Sequence, residues 1–158
     1  MAPDELEFEV RIHDARLHDW GLPRYHSDFA AGIDLYACLE APIELVPQAP
    51  ATLISSGLAV LMHRPDVAAF VLPRSGLGHK KGLVLGNGTG CIDADYTDIV
   101  YISAWNRNPP GTRPILVQPG ERIAQMVFLP ILRPRLTVVD EFTNSTGRGT
   151  GGFGSTGL

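Results

Sequence analysis

The chain has 158 residues, of which 17 are glycine and 13 proline; 19% are charged, and the net charge is −4. So many helix breakers exclude a bundle of long helices. A hydrophobic share of 44% excludes disorder, and the acidic balance argues against nucleic acid as a partner.

The first ten residues carry three Glu and one Asp, so no basic, apolar leader opens the chain. Phe8, Val10 and Ile12 alternate with charged residues, the period of a half-buried strand. Short β-rich runs follow at 33–37, 43–46, 52–54, 58–61, 67–72, 83–85, 99–105, 115–117, 123–129 and 136–139. Proline and glycine punctuate them, which predicts one all-β domain, a jelly-roll-like barrel. One short helix is predicted, over 75–81 after Pro73. The last stretch, 147–158, holds six Gly and reads as an arm that stays mobile until something binds. The chain thus divides into a core, 1–146, and an arm, 147–158. No apolar run approaches the length of about 18 residues that a membrane span needs. Cys38 and Cys91 read as free thiols, which fits a cytoplasmic protein without membrane contact.

Four stretches carry more than strand pattern. In 73–82, Arg74 precedes Ser75 at a helix start, and a guanidinium beside free N–H groups makes an anion site. An ordinary cap with solvated basic residues reads equally from this segment. In 86–96, Asn87-Gly88 predicts a tight hairpin. Asp93 and Asp95, two apart, share one face of an extended chain. Either could orient a water or bind a cation, and the pattern does not choose between them. In 120–128, Gln125 stands among apolar residues and must hold either backbone or a ligand. In the tail, Arg148, Ser155 and Thr156 can reach phosphate oxygens, and Phe153 can stack on a flat ring. Gly149 to Gly154 fits G-x-G-x-x-G, yet no strand and helix flank it. No Cys or His spacing suits zinc.

Five ordered stretches together resemble the trimeric deoxyuridine triphosphatases, or dUTPases. They are Ala31-Gly32-Ile33-Asp34-Leu35-Tyr36-Ala37, Pro73-Arg74-Ser75-Gly76-Leu77, Gly90 to Tyr96, Gly120-Glu121-Arg122-Ile123-Ala124-Gln125, and Arg148-Gly149-Thr150-Gly151-Gly152-Phe153-Gly154. The resemblance implies a homotrimeric β jelly roll whose sites are shared between subunits. The implied reaction is hydrolysis of dUTP to dUMP and pyrophosphate, with Mg²⁺ carried mainly by the substrate triphosphate. By position, Asp93 matches the water-activating carboxylate and Tyr96 the aromatic packed on deoxyribose. Asn87 and Gly90 belong to the uracil reader. Arg74, Ser75, Gly76 and Gln125 match phosphate contacts. Asp34 matches an acidic residue near the metal's water shell. Arg148, Phe153, Gly154, Ser155 and Thr156 match the arm that stacks on uracil and clamps the γ-phosphate. Asp98 stands where the family commonly has Gly, and 108–113 reads as an expanded surface loop. Two further readings compete: a dCTP deaminase-type relative, which would release ammonia, and a nucleotide-binding regulator lacking Asp93 or the arm. The chain has both features.

Overall fold

Apolar residues at every second position, separated by turn residues, fold as short strands rather than helices. A computed structural model describes residues 6–144. Eleven strands run in chain order: β1 (Glu9–Ile12), β2 (Ile33–Tyr36), β3 (Ile43–Leu45), β4 (Thr52–Ser55), β5 (Leu58–Leu61), β6 (Val67–Pro73), β7 (Leu83–Leu85), β8 (Gly90–Ile92), β9 (Tyr101–Asn106), β10 (Ile115–Val117) and β11 (Arg122–Pro130). They form a four-stranded sheet, β2-β11-β6-β8, and a three-stranded sheet, β4-β9-β7. Two ribbons, β1-β5 and β10-β3, complete the set. All pairings are antiparallel. This is the expected all-β jelly roll, with the described strands not joined into one closed barrel.

One core joins these sheets. Leu35, Val71, Ile123 and Met126 of the larger sheet pack with Ile54, Leu83 and Ile102 of the smaller one, all buried. Burial of each such side chain contributes about 1.5–3 kcal/mol.

The predicted helix is present: Ser75 and Gly76 lead into a π-helix, Leu77–Lys81. A second helical turn, α1 (Leu17–Trp20), was not expected from sequence. Its single buried residue, Leu17, leaves no apolar period to read. Tertiary bonds fix it instead. The Arg16 guanidinium bonds the Asp14 carboxylate at 2.6 and 2.9 Å, donates to Leu39 O at 2.8 Å, and lies 5.1 Å from the centre of the Trp20 ring. The predicted strand at 136–139 does not form; the segment is irregular, and Leu136 and Val138 are exposed. Strand propensity without a pairing partner does not hold a strand.

Cys38 and Cys91 are free thiols. Among the described residues no helix is long and apolar enough to cross a membrane.

Candidate active site

Three neighbouring strands build a cleft. Asp34 on β2 stands opposite Gln125 on β11, and Ala124 on β11 stands opposite Pro73 on β6. Ile33, Leu35, Ala124 and Met126 point into the core, so by alternation Asp34 and Gln125 face out. Gln125 Nε2 donates to Pro73 O at 3.0 Å. The amide therefore holds the backbone just before Arg74, and it lines a cleft as well. That cleft, about 460 Å³, is lined by Asp34, Arg74, Ser75, Gly76 and Gln125 together with His26, Lys80 and Lys81. The whole chain is acidic, yet this cleft sets one carboxylate against an arginine and two lysines. Its local field suits a polyanion.

Asp34 is the hub. Its side chain is only 13% exposed. Oδ1 meets Arg74 Nε at 2.9 Å, and Oδ2 meets Arg122 Nη1 at 3.0 Å and His26 Nε2 at 3.4 Å. Arg74 also donates to Arg122 O at 3.1 Å.

The π-helix carries the cleft's other wall, and its carbonyls need partners beyond the helix. Arg107 Nη2 donates to Gly78 O at 3.0 Å, and Asn108 Nδ2 donates to Lys81 O at 2.8 Å. The stretch around 108, expected as a surface loop, thus ties down the segment that presents Ser75 and Lys80. Ser75 is exposed, and the π-helix start has no side-chain cap. The expected N-cap role is not seen, because the backbone is already helical at Ser75.

Asp93 lies elsewhere. It follows β8, whose Ile92 stands opposite Ala69 near the start of β6. Arg74 follows the end of β6. Six residues of strand separate their levels, roughly 20 Å at about 3.3 Å per residue. Asp93 and Asp95 line a separate cleft of about 480 Å³, with Leu61, His63, Ala68 and Ile131. The Tyr96 N–H donates to Asp93 O at 3.1 Å, and its phenol donates to Ile99 O at 3.0 Å. Asp98, in the position where glycine was expected, accepts from Ile99 N at 2.7 Å and so stabilises this turn.

Asn87 belongs to the turn before β8, and Gly90 is the first residue of that strand. Gly88 takes a φ of 73°, as an Asn-Gly turn requires. The expected hairpin is not formed: β7 pairs with β9 and β8 with β6. The turn is a corner between sheets, and the Asn-Gly pattern signals only the positive φ. Gly90 sits so close to β6 that an added Cβ would lie 3.1 Å from Val71 Cβ. Arg148, Phe153, Gly154, Ser155 and Thr156 lie outside the described residues.

Arg122, His26, Lys80 and Lys81 were missed as site residues. Regular alternation would have put Arg122 on the core side with Ala124 and Met126. The basic run Lys80-Lys81 read as solvated, and His26 has no neighbours in sequence that mark it.

Among the described residues no group of three or more His, Cys, Asp or Glu gathers to hold a metal ion. Both oxygens of Asp34, the carboxylate in the phosphate-type cleft, are engaged by guanidinium groups. This donor set fits Mg²⁺ as part of a substrate triphosphate rather than as an ion caged by protein.

Comparison with known proteins matches residues 18–157 to the dUTPase family model. A deoxyuridine 5'-triphosphate nucleotidohydrolase of Xanthomonas euvesicatoria is 51% identical over 159 aligned positions, covering 100% of this chain and 99% of the relative. One of Xylella fastidiosa is 52% identical with the same coverage. Among solved structures, the Staphylococcus bacteriophage 80alpha dUTPase with dUpNHpp is 27% identical with a TM-score of 0.79, covering 96% of this chain and 99% of that one. A family match over most of the chain, full-length relatives at half identity and a shared fold together show that this chain belongs to the dUTPase family.

Proposed function

We propose that this chain hydrolyses Mg²⁺-bound dUTP to dUMP and pyrophosphate, as the names of its relatives describe for them. The observation that carries the reading is a division of labour between two clefts. A cationic cleft with Arg74, Ser75, Gly76 and Gln125 suits the phosphate chain. A carboxylate, Asp93, sits beside an aromatic and a glycine-rich turn at the other end of β6.

In this reading Asp93 takes a proton from water as the water oxygen bonds to the α-phosphorus. The bond from the α-phosphorus to the bridging oxygen breaks, and pyrophosphate leaves. Arg74, Ser75 and Gln125 position the phosphates and neutralise charge, which is most of what phosphoryl transfer needs from a protein. Asn87 and Gly90 present turn backbone to uracil, and Tyr96 packs on the deoxyribose.

Because the two groups stand at opposite ends of one strand, a complete site needs a second copy. The chain therefore works as a homotrimer whose sites are shared between subunits. The exposed apolar residues after β11 support such an assembly: Leu132 is 94%, Val138 98% and Phe142 91% exposed. The arm, 147–158, closes the site through Arg148, Phe153, Gly154, Ser155 and Thr156. Dependence on a nucleotide pool fits a cytoplasmic enzyme.

The test is pyrophosphate release from dUTP, dCTP, dTTP and UTP, with and without Mg²⁺. The expected result is release from dUTP that depends on Mg²⁺ and falls by at least about 100-fold in Asp93→Asn with nucleotide binding retained. Ammonia from dCTP, or undiminished release by Asp93→Asn, would overturn it.

A further inference from the structure

Strand β11 breaks its own alternation next to the phosphate cleft. Gln125 stands opposite Asp34 and Ala124 opposite Leu35, but Arg122 stands opposite Tyr36. Ile123 is thus an extra residue in the ladder, a β-bulge. Ile123, Ala124 and Met126 are all fully buried. The bulge therefore sends two successive side chains inward and shifts the parity of the strand by one. Arg122 is turned to the outer face, the face of Gln125 and Asp34, instead of into the core.

What Arg122 does there is specific. Its guanidinium reaches Asp34 Oδ2 at 3.0 Å. Its carbonyl accepts from Arg74 Nη1 at 3.1 Å, while Arg74 Nε reaches Asp34 Oδ1 at 2.9 Å. Arg122 is not among the residues lining the cleft, whereas Asp34 and Arg74 are. One residue thus grips both ends of the pair that faces the cleft without facing it. We propose that Arg122 is a positioning residue for the reaction: it holds Asp34, and Asp34 with the Arg122 carbonyl fixes the Arg74 guanidinium toward the phosphates.

The arrangement has a physical rationale. An arginine with only water as partner samples many rotamers, and each phosphate contact must then order it. Ion-paired with Asp34 at Nε and hydrogen-bonded at Nη1, Arg74 keeps its remaining donors for the ligand. The Asp34 carboxylate offsets the charge of Arg74 when no polyanion is bound, and the second guanidinium, on Arg122, holds that carboxylate in place. Asp34 then orients arginine, beside the role near a metal's water shell that the family resemblance implies.

The proposal rests on the reading of the cleft as a phosphate site. Its test compares Arg122→Ala, Arg122→Lys, Asp34→Asn and the double variant Arg122→Ala/Asp34→Asn. Steady-state dUTP hydrolysis is measured together with binding of inorganic tripolyphosphate, and thermal melts confirm folding. Arg122→Ala is expected to raise KM and weaken tripolyphosphate binding by about tenfold while kcat changes much less. Arg122→Lys, which keeps the charge but not the fork, is expected to lie between it and the parent. The double variant should fall within about twofold of the weaker single variant, because both act on Arg74 by one route. Effects that multiply in the double variant would show Arg122 acting on the ligand directly and would overturn the proposal. So would parent-like KM and tripolyphosphate affinity in folded Arg122→Ala. Tripolyphosphate has no base or sugar, so its binding reads this chain of contacts even if dUTP proves not to be the substrate.

Discussion

Asp14 shows how a single residue can anchor an element remote from chemistry. The Arg16 guanidinium beside it holds its carboxyl below the ordinary 3.8, at about 2. Cys38, beside the same carboxylate, is pushed up to about 12, first by burial and then by the charge of Asp14; its thiol stays protonated at neutral pH. Since the folded Asp14 value is depressed, its contribution to stability is present above pH 3.8 and is lost as pH falls through about 2. Asp14→Asn is expected to lower the melting temperature at pH 7, with the difference from the parent shrinking between pH 4 and pH 2. A melting curve at each pH checks it; a constant difference across that range would contradict the assignment. The consequence reaches the site, because Arg16 steadies Trp20, and the Trp20 ring packs on Gly120, where an added Cβ would lie 2.9 Å from the ring. Gly120 opens the turn that leads into Arg122.

At the scale of the element, the π-helix is short and depends on its end. Gly82 takes a φ of 79°, and its N–H donates to Leu77 O. An added Cβ there would collide with the Asn108 side chain, which itself holds Lys81 O. Gly82→Ala is expected to destabilise the fold by about 1–3 kcal/mol and to raise KM, because Ser75 and Lys80 ride on the same segment. Chemical denaturation and steady-state rates check the two effects; an alanine variant as stable as the parent would show that the cap is dispensable. Much of this element was legible in the sequence: Pro73 before it, Gly82 after it and two lysines near its end are ordinary helix signals. The strands were legible too, since 33–36 alternates and 58–61 and 67–72 are short apolar runs bounded by turn residues. Three features were not. The strand at β8 was hidden inside a glycine-rich turn. The Asn87-Gly88 corner looked like a hairpin, because a local turn carries no record of which sheet each flank joins. The bulge at Ile123 was invisible because Arg122-Ile123-Ala124 reads as simple alternation, and only pairing with β2 reveals the extra residue. The motifs of the resemblance single out Asp34, Arg74, Ser75, Gly76 and Gln125, which line one cleft, whereas Arg122 became apparent only from its contacts with Asp34 and Arg74.

For the whole molecule the separation of Asp93 from Arg74 matters most. If one site takes Asp93 from one copy and Arg74 from another, two crippled chains can repair each other. Asp93→Asn and Arg74→Ala, each nearly inactive alone, are expected to recover about a quarter of parent activity when refolded together in equal amounts. The figure follows from chance: half of the copies supply an intact Asp93, and half of their neighbours an intact Arg74. Activity no higher than the sum of the separate variants, in a mixed assembly verified by mass, would place each site within one chain. The irregular segment after β11 belongs to the same picture, since Leu132, Val138 and Phe142 would be covered in the assembly. Strand β6 then acts as a spacer. It cannot shorten without breaking its ladder with β8 and β11, so the two halves it separates never meet within one copy. If sites are shared in this way, catalysis becomes more than first order in the protein's own concentration once the protein is diluted below the dissociation constant of the assembly. Under the same sharing a defective copy would be dominant in part, because it would spoil a site whose other half came from a sound neighbour.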